Sequence, residues 1–394
     1  MVSLAAETWC RRFTSPPTPA PPINEDGHVS NHHRGWLAAG LAAAVVGSLG
    51  VFSTLNAAAD ETPAAPAPAA SPEEHLRTPP PLLPWGDKPT PLKMGAPGAS
   101  SATLAATGAD AAPASADPAD EPVVGYGAKG WASGKRTKRS GVTVVPPQPP
   151  AVLAADPPPP PNQGRTVKFH YAGAYQFAEA DGSFAGLTIA KPYLHSNDYH
   201  TLAEIAVQSG DGDQKVEIGW TIDRALNGDT DPHLFVYHWV DDEPTCYNGC
   251  GFVPWTDPAK PGQPTVKPGD TLPAGKNLRF GIKFWEGAWW FSYDSVYFGY
   301  FEAKLWGGGF TEAGLTQWFG EVASKTTAPC SYMGNGYDPD GEKAARFLNV
   351  AFVNGPDVVL KPSASSGEVS PVYSARVTES DKTVMYGGSG ACTK

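Results

Sequence analysis

The chain has 394 residues, a formal net charge of -11 at pH 7, 42 prolines and 43 glycines. A negative balance of that size repels phosphate backbones and anionic lipid, so nucleic acid and acidic membrane surfaces are excluded as partners. Length permits two or three domains, but composition divides the chain: Pro and Ala dominate up to about residue 165, and nearly all the aromatic residues follow.

Residues 1–59 read as a signal-peptide region. The apolar run from Trp36 to Leu55 follows His32-His33-Arg34 and precedes Ala57-Ala58-Ala59, the layout of a secretory signal cut after Ala59. The run also approaches the length of an uncleaved single-span anchor. The protein is expected to be secreted, touching membrane only through this segment. Residues 60–165 form a Pro/Ala-rich leader or pro-segment, with few aromatics and the run Pro157 to Pro161; a segment that buries so little apolar surface is expected to be disordered. Lys135-Arg136-Thr137-Lys138-Arg139 is its basic cluster, read either as a processing site or as a solvated loop. Gly130 to Lys135 falls one residue short of phosphate-loop spacing, with Arg136 in place of Ser or Thr.

From residue 166 to 394 short extended runs alternate with Gly, Pro, Asn and Asp breaks. Strands are predicted at 167–171, 186–189, 203–208, 216–222, 234–239, 278–285, 289–293, 296–301 and 348–353, and one helix at Gly314 to Trp318 with Thr311 as its cap. Such a pattern predicts an all-β, antiparallel β-sandwich or a related barrel. Within it Val216, Ile218, Trp220 and Ile222 alternate with Lys215, Glu217, Gly219 and Thr221, so an extended chain sends the apolar set to one face and Glu217 to the other. A second acid, Glu321, follows the aromatic pair Trp318-Phe319. An isolated surface glutamate is ordinarily solvated, and spacing alone does not pair these two.

Cys10 is lost with the signal region, leaving Cys246, Cys250, Cys330 and Cys392. An even number in an exported chain reads as disulfides, and sequence proximity favours Cys246–Cys250 with Cys330–Cys392. Zinc-ligand spacing is lacking, the Asp229/Asp231 and Asp338/Asp340 pairs do not complete a calcium loop, and neither metal nor cofactor is called for. His233 and His238 read as strand-edge or partly buried polar groups. No Gly-x-Ser-x-Gly elbow, His-Glu-x-x-His motif or evident cysteine nucleophile is present.

The ordered motifs Val216-Glu217-Ile218-Gly219-Trp220, Asn227-Gly228-Asp229, Leu234-Phe235-Val236-Tyr237, Cys246-Tyr247-Asn248-Gly249-Cys250-Gly251-Phe252-Val253, Gly287-Ala288-Trp289-Trp290, Phe298-Gly299-Tyr300, Gly320-Glu321-Val322, Met333-Gly334-Asn335-Gly336, Lys343 to Asn349 and Tyr386-Gly387-Gly388-Ser389-Gly390 resemble the neprosin family of secreted glutamic prolyl endopeptidases. The resemblance spans about residue 166 to the C-terminus. It implies a β-sandwich peptidase with an open cleft, whose catalytic positions fall on Glu217 and Glu321 and whose substrates are proline-containing peptides. Three features depart from the pattern: Phe319 stands where the family commonly has Gly, Cys330 precedes the Met-Gly motif, and the leader is unlike a folded pro-domain.

Two carboxyls in one site raise one another's pKa, so over an acidic range the pair holds a single proton. The charged member can then activate water while the protonated member serves the carbonyl and the departing nitrogen. Proline selectivity, implied by the resemblance, calls for an apolar slot, with Trp289, Trp290, Tyr293 and Trp318 as its expected lining. Two alternatives stand beside this reading: a noncatalytic carbohydrate-binding sandwich, and a glycosidase using the same carboxyl pair.

Overall fold

The computed structural model describes residues 77–114, 167–260, 262, 265–364 and 372–392. The expected signal region and the basic run at 135–139 lie outside these. In chain order the elements are α1 (Ser101–Thr107), β1 (Lys168–Ala180), β2 (Gly182–Thr188), β3 (Asp198–Gln208), β4 (Lys215–Asp223), α2 (Arg224–Asn227), β5 (His233–Val240), β6 (Glu243–Pro244), β7 (Phe252–Pro254), β8 (Asn277–Trp285), β9 (Ala288–Tyr293), β10 (Val296–Glu302), β11 (Ala313–Ser324), β12 (Ala345–Val353), β13 (Lys361–Ala364), β14 (Ser374–Thr378) and β15 (Thr383–Gly387).

The strands form two antiparallel sheets. One has seven strands in the order β13-β1-β11-β3-β4-β5-β6, the other eight in the order β14-β15-β12-β2-β8-β9-β10-β7. The all-β sandwich read from the turn spacing is therefore what the chain forms. Alternation decides what fills the space between the sheets. Val216, Ile218, Trp220 and Ile222 of β4 pack with Ile205 and Val207 of β3, Trp318 and Val322 of β11, and Phe280, Trp289, Phe291 and Tyr293 of the opposite sheet. Two of the buried indoles between the sheets are tethered: Trp220 Nε1 donates to the Thr188 carbonyl at 3.0 Å and Trp318 Nε1 to Ser183 Oγ at 3.0 Å, so neither leaves a donor unmet.

The expected helix at Gly314–Trp318 is a strand. β11 is paired on both sides, with β1 and with β3, and two complete ladders outweigh the weak local preference of a short Gly-, Thr- and Trp-containing segment. Both expected disulfides are present, Cys246–Cys250 and Cys330–Cys392.

The expectation of a disordered leader fails for residues 77–114. Leu83 packs against Ala288, Trp290, Tyr297 and Tyr300 on the outer face of the eight-stranded sheet. The Tyr297 hydroxyl donates to the Leu82 carbonyl at 2.9 Å, and Arg77 pairs with Glu302 at 3.2 Å. Leu92 and Ala111 join the main core, Ala112 bridges to Thr271, and the Tyr293 hydroxyl donates to the Asp110 carbonyl at 2.6 Å. Between these anchors α1 is capped by Ser100, whose side chain accepts from the Thr103 amide, and buries Leu104. A Pro/Ala-rich average hides a few well-placed leucines, and the apolar outer face of the sheet supplies the burial that the segment lacks by itself.

Leu83→Ala and Leu104→Ala are each expected to destabilise the full-length protein by about 2–5 kcal/mol, the usual cost of truncating a buried leucine. Denaturant unfolding checks this; midpoints equal to wild type for both would mean that the segment adds no stability.

Candidate active site

Because successive strand residues point to opposite faces, the inward apolar set of β3, β4 and β11 forces a second set outward. On β11 that set includes Gln317, Phe319 and Glu321; on β3, Leu202, Glu204 and Ala206; on β4, Lys215, Glu217 and Gly219. Register aligns them: Glu321 lies opposite Leu202, Phe319 opposite Glu204 and opposite that Gly219, and Glu217 opposite Ala206. Glu217 and Glu321 therefore share one face of one sheet, on the strands that flank β3, with Glu204 on β3 between them. At ordinary strand spacing and rise, two inter-strand steps and four residues separate their α-carbons by about 16 Å. Gly219 is required here, since a Cβ would lie 2.0 Å from the Ala203 carbonyl oxygen. Gly320 is required behind Glu321, since a Cβ would lie 2.6 Å from the Tyr386 ring.

The acids are not solvated. Glu204, Glu217 and Glu321 are each 0% exposed. Burial pushes the Glu217 carboxyl up to about 8, with the charge of Glu321 adding to the rise, while Lys215 and the Trp239 indole act in the opposite direction. Trp239 Nε1 donates to Glu217 Oε1 at 3.1 Å. Lys215 is itself buried, pairs with Asp242 at 3.0 Å and lies 4.4 Å from the centre of the Trp239 ring. Glu321 has different company: His200 Nε2 lies 2.6 Å from its Oε1, and the Tyr171 side chain hydrogen-bonds to it from β1. Burial first, and then the three glutamates, hold the hydroxyls of Tyr171 and Tyr237 in their protonated form.

Loops brace both ends of this face. The Cys246–Cys250 loop sets Tyr247 against Phe235 and Tyr237, with ring centres 5.5 and 5.1 Å apart. Next to Cys330–Cys392, Asp198 accepts from the amides of Cys330 and Ser331 and from the hydroxyls of Ser324 and Ser331.

Of the residues singled out in the sequence, Glu217 and Glu321 are brought onto one face and the four aromatic residues are not. Trp289, Tyr293 and Trp318 lie between the sheets. Trp290 faces outward from the other sheet, beneath Leu83. The slot lining proposed from them is corrected by strand parity: Trp318 is three residues from Glu321, an odd step that places it on the opposite face, and β9 belongs to the other sheet. The aromatic residues beside the acids are Tyr171, Phe319, Tyr237 and Trp239, and the Phe319 ring meets Tyr171 edge-on at 5.7 Å. Glu204 and His200 escaped the sequence reading. The alternation of Ala203, Ile205 and Val207 pointed to Glu204, but His200 lay beyond the predicted start of its strand.

Residues 197–389 match the family model described as Neprosin. This domain of the chain belongs to the Neprosin family, and that membership supports a peptidase. Among solved structures, the chain is similar to scytalido-glutamic peptidase with a peptide-based transition-state analogue, at 10% identity over 57% of this chain and 100% of that one, with a TM-score of 0.34. SCP-B, a member of the Eqolisin family of peptidases in complex with the tripeptide Ala-Ile-His, gives the same identity, coverage and TM-score. A glycoside hydrolase family 16 endo-glucanase from Bacteroides ovatus aligns at 11% identity over 41% of this chain and 69% of its own, with a TM-score of 0.23. Likenesses this distant carry no argument about activity.

A carboxyl raised above its ordinary value of 4.5 keeps its proton longer when folded than when unfolded. Its contribution to stability is full below the unfolded value and is lost as pH rises towards about 8. Urea unfolding between about pH 4.5 and 8 is expected to show wild type losing stability more steeply than Glu217→Gln. Equal slopes would mean that Glu217 does not carry the extra proton.

Proposed function

We propose that the sandwich domain is a glutamic endopeptidase cleaving peptide bonds at proline, with Glu217 and Glu321 as its acid and base. The observation that carries the reading is their common placement: two acids more than one hundred residues apart in sequence lie on one buried face, and burial keeps one of them protonated. In the reaction, the charged glutamate takes a proton from water as its oxygen bonds to the scissile carbonyl carbon. The protonated glutamate supports the developing oxyanion and then passes its proton to the departing nitrogen as the C–N bond breaks. The pair ends with its proton on the other member, and exchange with solvent restores the starting arrangement. No acyl-enzyme forms. Loss of the single proton as pH rises ends activity, and the two apparent pKa values belong to the pair.

Proline selectivity, in this reading, rests on Tyr171, Phe319, Tyr237 and Trp239, whose flat faces beside the acids suit a pyrrolidine ring. We further assign the protein to the exported class. The resemblance suits that assignment, and the two disulfides belong to an oxidising compartment. Both acids are closed to solvent.

A noncatalytic sugar-binding sandwich has no use for acids withdrawn from water on a common face, because buried carboxyls cost stability that a binding surface does not need. A glycosidase would use the same pair and is separated by its products. Glu217→Gln and Glu321→Gln are each expected to lower kcat on a proline-containing peptide by about 10²- to 10⁴-fold, the range of general acid–base catalysis, with the fold intact by circular dichroism. Mass spectrometry of parallel incubations with peptide and glycan reads the outcome. Full activity in either variant, or products from the glycan alone, overturns the peptidase reading.

A further inference from the structure

Residues 77–114 are joined to the sandwich by main-chain pairing as well as by side chains. Within the segment, Gly95 N donates to the Ala111 carbonyl at 2.7 Å, Asp110 N donates to the Lys93 carbonyl at 2.8 Å, and Met94 bridges Ala111 in parallel. Ala112 then exchanges two main-chain bonds with Thr271, at 3.0 and 2.9 Å, and Thr271 in turn bridges His233, the first residue of β5. The segment thus adds an extended rung at the end of the sheet, the geometry by which sheets capture separate peptides.

The domain is shaped to receive this segment. Gly281 of β8 lies beneath Pro84, and a Cβ at that position would come within 2.8 Å of the proline ring. The Ser101 hydroxyl, 0% exposed, donates to Asp231, and Lys191 pairs with the same carboxyl oxygen. The side chain of Asp270, also 0% exposed, accepts from the Ala114 amide. Thr90 N donates to the Ser295 carbonyl at 2.9 Å, and the Trp85 ring meets Phe184 of β2 edge-on at 5.9 Å. Stripping the segment away would take a partner from Asp231, Asp270 and both main-chain groups of Thr271. It would also return to water the apolar surface that Leu83 and Leu92 cover.

We propose that the outer face of the eight-stranded sheet and the Thr271 edge form an interaction surface whose partner is residues 77–114, held as firmly when that segment is a separate chain. Cutting between residues 114 and 167 then yields a two-chain protein and releases no leader. The covalent link contributes an effective concentration of about millimolar order, and the anchors replace it because they are spread along the whole segment, from Arg77 on Glu302 to Ala114 on Asp270. Residues such as Leu83 lie on the outer face of the eight-stranded sheet, while Glu217 and Glu321 lie on strands of the seven-stranded one. Retaining the segment therefore does not require covering the acids.

The test uses the full chain with residues 135–139 replaced by the recognition sequence of a site-specific protease. After complete cutting, the pieces separate on a denaturing gel and are expected to co-elute in equal amounts from a size-exclusion column loaded at about 10 μM, as a Kd of about 1 μM or below requires. The thermal midpoint of the cut protein should rise with protein concentration, as it does for a noncovalent complex, while that of the uncut chain stays constant. In the cut protein Leu83→Ala should raise the Kd by about thirtyfold or more, the lower end of the cost of truncating a buried leucine. An N-terminal piece that elutes apart from the remainder overturns the proposal, whether the remainder stays soluble or precipitates, and so does a midpoint independent of concentration. An unchanged Kd in Leu83→Ala overturns the assignment of the sheet face; should that variant fail to fold, the cut wild-type protein decides the matter. None of these readouts depends on catalysis, so they stand or fall separately from the two-glutamate reading.

Discussion

Several carboxyl groups sit on one face of a sheet with no exposure to water, and every other feature of the domain accommodates that fact. An ionised acid in such a place must find a cation, collect hydrogen bonds or keep its proton. Two of these solutions, retained protons and collected hydrogen bonds, occur within a few strands. Glu217 keeps its proton, Glu321 lies against His200 and Tyr171, and Asp223 accepts from two amides at the start of α2. Like charges held this close repel, and the arrangement persists because the strands beneath are clamped by ladders on both sides.

The opposite face of the same strands supplies the clamp. Trp220, Trp318, Ile218 and Val322 fill the space between the sheets, so the positions of Glu217 and Glu321 follow from core packing as much as from their own contacts. The disulfide-bearing loops and Asp198 fix the strand ends. Residues 77–114 do comparable work on the far sheet, covering Trp290, Tyr297 and Tyr300. A rigid frame with a strained polar face is the usual division in enzymes, where stability lost at the site is recovered in the scaffold.

The Neprosin match and the geometry bear on different properties of the protein. Family membership concerns the class of chemistry, whereas burial and hydrogen bonding concern which atoms perform it. Phe319 stands in register with Glu204 and places a ring against Tyr171.

Local pattern alone determined the sandwich, most of its strands, both disulfide pairings and the outward direction of Glu217, because alternation and turn chemistry act between residues close in sequence. Three matters were decided only by tertiary structure. Gly314 to Trp318 became a strand because neighbours on both sides completed its ladders, and residues 77–114 became ordered because a distant sheet offered them an apolar face. The third was the company of the acids: Glu204 and His200 stand beside Glu217 and Glu321 through cross-strand register, and the four expected aromatic residues fall elsewhere through strand parity and sheet membership. Register and parity compare positions on different strands, and no spacing along a single strand contains that information.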